Sequence, residues 1–394
     1  MRETDSVGSQ VIRVGSYVAG DWVQPTADAR TAQDAVTGKD VALVGHGALD
    51  FQAMLDHGRL VGGPALRSST FHDRACALKA LATYLNERKE ELYSLSFMTG
   101  ATRKDSWVDI DGGIGTLFAY ASKGRRELPE AHTYVDGDVE ALSRGGTFIG
   151  QHIYTPKKGV AVHINAFNFP VWGMLEKLAP SLLAGLSAIV KPATATSYVT
   201  EACFRMMVES EAFPEGSFQL VCGGMGDLLD RLTGQDSVAF TGSADTALML
   251  KSNPHLLRQS IPFNAEQDSL NATVLGEDVT PDAPEFDLFA REVVQEMTTK
   301  AGQKCTAIRR IFVPQTLVAP MAERIREGLG KIRIGDPRLD DTTMGALVSQ
   351  AQRQDVEERI ARLAGEARFV CGGDGLTVIG ADKSAGAFVA PTLF

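Results

Sequence analysis

Three side chains in this sequence are of the types needed for chemistry at a carbonyl carbon. Cys305 lies in MTTKAGQKCTAIRR, directly after Gly302, Gln303 and Lys304. A thiol beside a cation in a polar turn has a lowered pKa, and the thiolate is the reactive species. Glu266 lies in IPFNAEQDSLN, between the apolar strand-like pieces IPF and ATVL, where burial can raise a carboxylate toward the range of a working base. Asn168 is a neutral amide flanked by Phe167 and Phe169, and an amide fixed by aromatic packing can donate to an oxyanion. Each has an ordinary alternative: a small buried hydrophobe for Cys305, a solvated turn for Glu266 and a turn-forming Asn for Asn168.

A second set could hold an anionic ligand. Phe240-Thr241-Gly242-Ser243 follows the strand-like SVAF and opens a helix at Ala244. Small residues at such a turn let backbone amides approach a phosphate, with the Ser243 hydroxyl as a further donor; simple capping is the alternative. Lys191 ends SAIVK, where a cation can meet a ribose or phosphate or merely be solvated. No GxGxxG run is present, so the usual dinucleotide fingerprint is missing.

The elements that must position these residues read as α/β. From Lys158 onward the strand GVAVHI, the loop NAFNFP, a helix with Trp172, Leu175, Leu178 and Leu182 on its apolar face, and the strand SAIVK form one β-α-β unit. A polar helix across Ala202 to Met207, the turn FPEG, the strand FQLV, a short helix near Leu228, Leu229 and Leu232, and the strand SVAF continue the alternation. Such spacing requires crossovers, hence a mostly parallel sheet covered on both faces. Upstream, SYVAGDWV (16–23) alternates like a strand, and 73–97 carries Leu78, Leu81, Leu85, Leu92 and Leu95 at helical spacing. The stretch 133–156, with a Gly pair and FIGQHIYT, reads as a projecting hairpin.

Composition narrows the class. The net charge is −10 with basic residues scattered among acidic ones, which argues against a nucleic-acid partner. The longest apolar stretch, 178–190, is broken by Pro180, Ser181, Gly185 and Ser187 and is too short to cross a bilayer. MRETDSVGSQ has no apolar leader behind it, which reads as a cytoplasmic protein. The five cysteines are scattered, odd in number and without a CxxC pair, which argues against a disulfide framework and against a metal site.

The order of FNFP, LLAGLSAIVKPA, FPEG, FTGSA, a Glu segment, GQKC, MGALVS and APTLF resembles the aldehyde dehydrogenase superfamily almost from end to end. INAFNFPVWGMLEKLAPSLLAG, MTGATRKDSWVDIDGGIGTLFAYAS and EMTTKAGQKCTAIRRIFVP look like the dehydrogenase half of the bifunctional ring-opening enzymes of aerobic phenylacetate degradation. The semialdehyde dehydrogenases of benzoyl-CoA epoxidation share these motifs. The resemblance implies a Rossmann-like cofactor-binding domain over 1–270, a β-hairpin oligomerisation arm near 133–157 and an α/β catalytic domain over 271–394. It implies Cys305 as nucleophile, Asn168 with the Cys305 amide as oxyanion donors, and Glu266 as the base that hydrolyses the thioester rather than passing it to coenzyme A. Lys191 and Ser243 would contact ribose and phosphates, with Phe167 and Gly242 shaping the cleft.

Departures from the pattern carry information. Thr194 stands where many NAD-dependent members have a glutamate after KPA, removing a carboxylate that would repel a 2′-phosphate; NADP is therefore expected over NAD. Glu266-Gln267-Asp268-Ser269 replaces the usual Glu-Leu-Gly-Gly run, which implies a differently shaped loop behind the base. The family's segment after APTLF, with its ribose-binding glutamate and returning strand, does not follow Phe394, and neither does a hydratase half. The expectation is thus a fragment or a truncated product with an incomplete catalytic domain, homo-oligomeric when full length. The substrate implied is 3-oxo-5,6-dehydrosuberyl-CoA semialdehyde. The alternatives are 3,4-dehydroadipyl-CoA semialdehyde and a catalytically silent subunit.

Overall fold

From Val160 to Glu266 the chain repeats strand, crossover and strand, and the β-branched residues of these strands are buried on both faces. In the computed structural model, which describes residues 11–26, 29–45, 47, 49–373 and 375–394, this region builds most of a seven-stranded sheet. The segment MRETDSVGSQ, on which the absence of a leader was read, lies outside the described residues. Across the sheet the order is Phe263–Glu266, Ser237–Thr241, Val160–Ile164, Ser187–Lys191, Phe218–Leu220, Ser16–Val18 and Asp21–Val23. The first five strands are parallel. The last two form an antiparallel hairpin.

Alternation along the strands divides the core. Ala161, Ala188 and Val190 pack with Leu175, Leu178 and Leu182 of the Trp172–Leu183 helix and with Phe204 of the Ser197–Glu209 helix. Val160, Val162, Ile164 and Ile189 face the other way, onto Met54, Leu55, Leu228 and Leu256. Leu175, Leu178 and Leu182 are fully buried, and each contributes about 1.5–3 kcal/mol of transfer free energy. Two long helices, Phe71–Ser96 and Arg103–Glu127, close the first face. Both start with capping boxes, Thr70 with Asp73 and Thr102 with Asp105. Between them Gly100 takes φ +80, and a Cβ there would lie 2.3 Å from the Ala346 carbonyl oxygen. That close approach seats the start of the second helix against the segment MGALVS.

Beyond Glu266 the pairing changes. Asn271–Val274 pairs with Ile308–Phe312 in a separate parallel ladder. The Pro284–Thr298 and Val318–Leu329 helices pack through Phe286, Val293, Met321 and Ile325. A further cluster joins Ala35 and Val36 to Ile334, Leu347 and Phe388, so the N-terminal part is packed against the C-terminal part.

Several expectations are corrected. SYVAGDWV is a tight hairpin rather than one strand, because Ala19 and Gly20 both adopt positive φ, 48° and 92°. The helix expected at 202–207 runs Ser197–Glu209 and is largely buried, with Cys203, Phe204, Met206 and Met207 in the core. APTLF contributes an isolated bridge between Leu393 and Cys371. The projecting hairpin is present as Tyr134–Ala141 paired with Ile149–Tyr154.

His163 supplies a test of the buried sheet. It is buried on the face of the Trp172–Leu183 helix, shares a 3.1 Å hydrogen bond with Ser181 Oγ, and burial pushes its pKa down to about 3, with Lys177 adding to the shift. The unfolded chain takes a proton near pH 6.5 that the folded site refuses. Its contribution to stability is therefore intact above that pH and lost as pH falls toward 3. Denaturant midpoints at pH 7 and pH 5 are expected to drop less in His163→Asn than in the parent; equal slopes contradict this assignment.

Candidate functional site

The sheet order reverses at one place. From Val160–Ile164 the chain moves outward through Ser187–Lys191 and Phe218–Leu220, then returns to add Ser237–Thr241 and Phe263–Glu266 on the opposite side. Loops leaving the carboxyl ends of the strands at such a point diverge and leave a crevice. Register places the sequence-selected residues along this edge: Thr241 opposite Glu266, Phe240 opposite Ile164, and Ile164 opposite Lys191. The loops on either side are 165–170 and Gly242-Ser243.

Lys191 is half-buried, and its ammonium has no hydrogen-bond or ion-pair partner among the described residues. Burial lowers its pKa. Thr194 opens a short 3-10 turn, and Thr196 Oγ1 in that turn donates to the Phe167 carbonyl at 3.2 Å, tying the two loops together. The Gly242 amide donates to the Glu266 carbonyl at 3.1 Å, and a Cβ on Gly242 would meet the Phe240 ring at 2.6 Å. Ser243 caps the Ala244–Lys251 helix, accepting from the Thr246 amide at 3.3 Å and donating to Thr246 Oγ1 at 2.9 Å. Asp268 adds a carboxylate to that helix start, accepting from the Ala244 amide at 3.1 Å.

Cys305 is exposed and sits at the end of a loop with unusual backbone geometry. Lys300, Ala301 and Gly302 have φ of 54°, 51° and 73°. Only glycine adopts that region without cost, so the first two positions are strained. Contacts hold them: the Lys300 amide donates to Asp105 Oδ1 at 2.7 Å, and Gln303 donates from its amide and side chain to the Lys300 carbonyl at 3.0 and 2.9 Å. Arg309 donates to the Gly302 carbonyl at 2.6 Å. The Cys305 carbonyl accepts from Asn271 Nδ2 at 2.7 Å and from Ser269 Oγ. The Lys304 ammonium, expected beside the thiol, instead pairs with Glu296 at 2.6 Å, because that carboxylate is presented by the preceding helix.

Asn168 Oδ1 accepts from the Phe169 amide at 3.1 Å, which orients the side chain and leaves its NH2 to donate elsewhere. Glu266 ends its strand with an exposed side chain, so it is not enclosed by apolar walls as its flanking sequence suggested. Its Oε2 lies 3.4 Å from Thr241 Oγ1. Glu266 and Cys305 are linked, since the Cys305 carbonyl is held by Ser269, in the short connection after Glu266, and by Asn271, the first residue of the strand that follows it. Asn168 and the Cys305 loop share the Arg103–Glu127 helix: Asp105 holds Lys300, while Asp109 accepts from the Val171 and Trp172 amides at 3.1 and 2.8 Å. Sequence reasoning missed Asp105, Asp109, Ser269, Asn271 and Lys300. Only the four-residue spacing of the two aspartates on an otherwise core-facing helix hinted at them.

A crevice at the reversal of a parallel sheet, lined by an unpaired lysine and a helix start, with an exposed thiol on a braced loop, fits the nucleotide-dependent dehydrogenases that work through a cysteine. The sequence pattern of the aldehyde dehydrogenase family matches residues 22–394, and the chain belongs to that family. A 3,4-dehydroadipyl-CoA semialdehyde dehydrogenase of Aromatoleum evansii is 41% identical over 384 residues, 97% of this chain and 74% of that protein. Among solved structures, an aldehyde dehydrogenase of Mycobacterium tuberculosis complexed with NAD+ superposes with a TM-score of 0.83 at 26% identity, covering 98% of this chain and 76% of the other. An NADP-dependent enzyme of E. coli gives 0.81 at 23%, over 97% and 76%. Among the described residues no helix is long and apolar enough to cross a membrane.

Asn271 is the most exacting part of the brace, because Nδ2 reaches the carbonyls of both Cys305 and Ala307, the latter at 3.1 Å. Asn271→Ala is expected to cost about 1–3 kcal/mol in denaturant unfolding and to speed amide exchange across 301–307. Unchanged exchange there would show that the loop is held by other contacts.

Proposed function

We propose that this chain oxidises the aldehyde group of a coenzyme A-linked semialdehyde to the carboxylic acid, preferring NADP to NAD. The observation that carries the reading is the hold of Ser269 and Asn271 on the Cys305 carbonyl, which sets thiol and carboxylate on one framework beside the crevice.

The Cys305 thiolate adds to the aldehyde carbon, forming the C–S bond and sending the carbonyl electron pair to oxygen. The oxyanion is met by the Asn168 NH2 and the Cys305 amide. A nicotinamide cofactor, when bound, accepts the hydride that leaves as the carbonyl re-forms. The product on the protein is a Cys305 thioester. Glu266 takes a proton from the water that attacks it, the C–S bond breaks, and the acid leaves with the thiolate restored. The residues at the crevice fit the cofactor: Lys191 would bring an unpaired cation, Ser243 a hydroxyl at a helix start once it leaves Thr246, Phe167 and Gly242 the walls, and Thr194 a neutral side chain in place of a carboxylate.

For the substrate, 3,4-dehydroadipyl-CoA semialdehyde stands first, because the relative bearing that name matches almost the whole chain. The suberyl homologue 3-oxo-5,6-dehydrosuberyl-CoA semialdehyde stands second, on the motifs shared with the phenylacetate enzymes. A homo-oligomer is supported by the hairpin at Tyr134–Ala141 and Ile149–Tyr154, whose Val135, Val139, Ile149 and Ile153 are exposed. The free cysteines suit a reducing, cytoplasmic setting.

NADPH formation at 340 nm with either semialdehyde thioester, beside a Cys305→Ala control, tests the reading. Cysteine-dependent turnover, faster with the adipyl substrate, is expected; turnover that survives Cys305→Ala would sink it. Glu266→Gln is expected to show a burst followed by slow turnover as thioester accumulates. Cofactor choice has its own check: Thr194→Glu should lower kcat/KM for NADP at least tenfold while NAD changes little, and an unaltered ratio would remove Thr194 from cofactor selection.

A further inference from the structure

Lys300 is only 4% exposed, its ammonium has no hydrogen-bond partner, and it lies five residues before Cys305. An ammonium taken out of water without hydrogen bonds is costly, so compensation must come from nearby charge. Asp109 and Asp105, one turn apart on the Arg103–Glu127 helix, favour the charged form of Lys300, although burial outweighs them and lowers its pKa, and the Phe169 ring centroid lies 6.0 Å from Nζ. Asp109 is fully buried and is engaged by the amides of Val171 and Trp172, the residues that follow the Asn168-Phe169-Pro170 run. Asp105 is equally committed. One oxygen accepts from the Lys300 amide, the other from the amide and hydroxyl of Thr102 at 3.0 and 2.7 Å.

The two loops that carry the proposed oxyanion donor and nucleophile are therefore fastened to neighbouring carboxylates, and the Lys300 ammonium of one loop is set over the Phe169 ring of the other. We propose that Lys300 is a positioning residue for acylation: its buried ammonium, drawn to Asp109 and Asp105 and set over Phe169, locks the Asn168 loop to the Cys305 loop. Lys300 touches neither the substrate nor the reacting atoms in this role. A buried ammonium in the field of buried carboxylates penalises any arrangement that moves it away from them, which is what alignment of two loops from distant parts of the chain needs. The left-handed backbone of Lys300 and Ala301 is then the strain accepted to put this side chain inward.

The inference rests on the proposed roles of Asn168 and Cys305, and its test separates the two. Lys300→Met, Asp109→Asn and the double variant are compared with the parent by steady-state kinetics and by hydrogen exchange of peptides covering 165–172 and 300–307. Lys300→Met is expected to lower kcat at least tenfold, to leave KM for the aldehyde within threefold, and to speed exchange in both peptides together. The double variant, which removes the Asp109 charge together with that of Lys300, should fall between the parent and Lys300→Met. Parent-like exchange at 165–172 in a folded Lys300→Met chain overturns the proposal, and a double variant no better than Lys300→Met overturns the charge pairing. Should Lys300→Met fail to fold, the double variant is read alone, and parent-like kcat and exchange in it overturn the proposal. A parent chain without turnover sinks the functional reading and leaves the exchange comparison to decide this one.

Discussion

Parallel register is the constraint on which the site depends. A strand displays alternate side chains on opposite faces, so a slip of one residue between Ser237–Thr241 and Phe263–Glu266 would turn the latter strand over. Phe240 and Val238 are committed to the core on one face, which makes such a slip expensive and fixes Thr241 opposite Glu266. The same logic, through Ile189 and Val190, sets Lys191 at the end of its strand. Core burial thus aligns polar residues that make few contacts with one another.

The Cys305 loop is governed by a different balance. Left-handed backbone at Lys300 and Ala301 costs on the order of 1–3 kcal/mol per residue. It persists because Asp105, Gln303, Arg309 and Asn271 together satisfy the backbone groups it exposes. Rigidity there comes from hydrogen bonds of defined direction rather than from packing. A bond to Gln303 Oε1 from the Val348 amide, at 3.0 Å, extends the hold to the segment MGALVS. This accounts for a motif more than forty positions downstream of the thiol belonging to the same site.

The α/β alternation from Val160 to Thr241 was legible because each strand is an apolar run and the Trp172–Leu183 helix shows a clear apolar face. SYVAGDWV was misread because alternation is indifferent to a reversal, and the Ala-Gly dipeptide that makes the turn is a weak signal. The helix at Ser197–Glu209 was read as shorter and polar because Thr200, Glu201 and Arg205 break its pattern. Glu201 is nonetheless buried, joined to Arg205 at 2.6 Å, so a satisfied charge passed for a solvated face. At the site, residue types and order pointed to Cys305, Glu266, Asn168 and Lys191, but none of the residues that hold them. Bracing partners are distant in sequence and belong to common types: Asp105 is 195 positions from Lys300.

Lys304 shows why adjacency in sequence is a poor guide to electrostatics. A cation next to a thiol in sequence acts on it only if the charge stays near and unshared, and Lys304 is paired with Glu296. Lys300, farther along the chain, cannot leave: its stem is enclosed, and it lies in the field of carboxylates that are themselves committed to backbone amides. Of the two lysines the more distant is therefore the better fixed. For the proposed reaction, in which a thiol and an amide meet one carbonyl group, a fixed charge that spans their loops constrains geometry more effectively than a mobile one beside the sulfur.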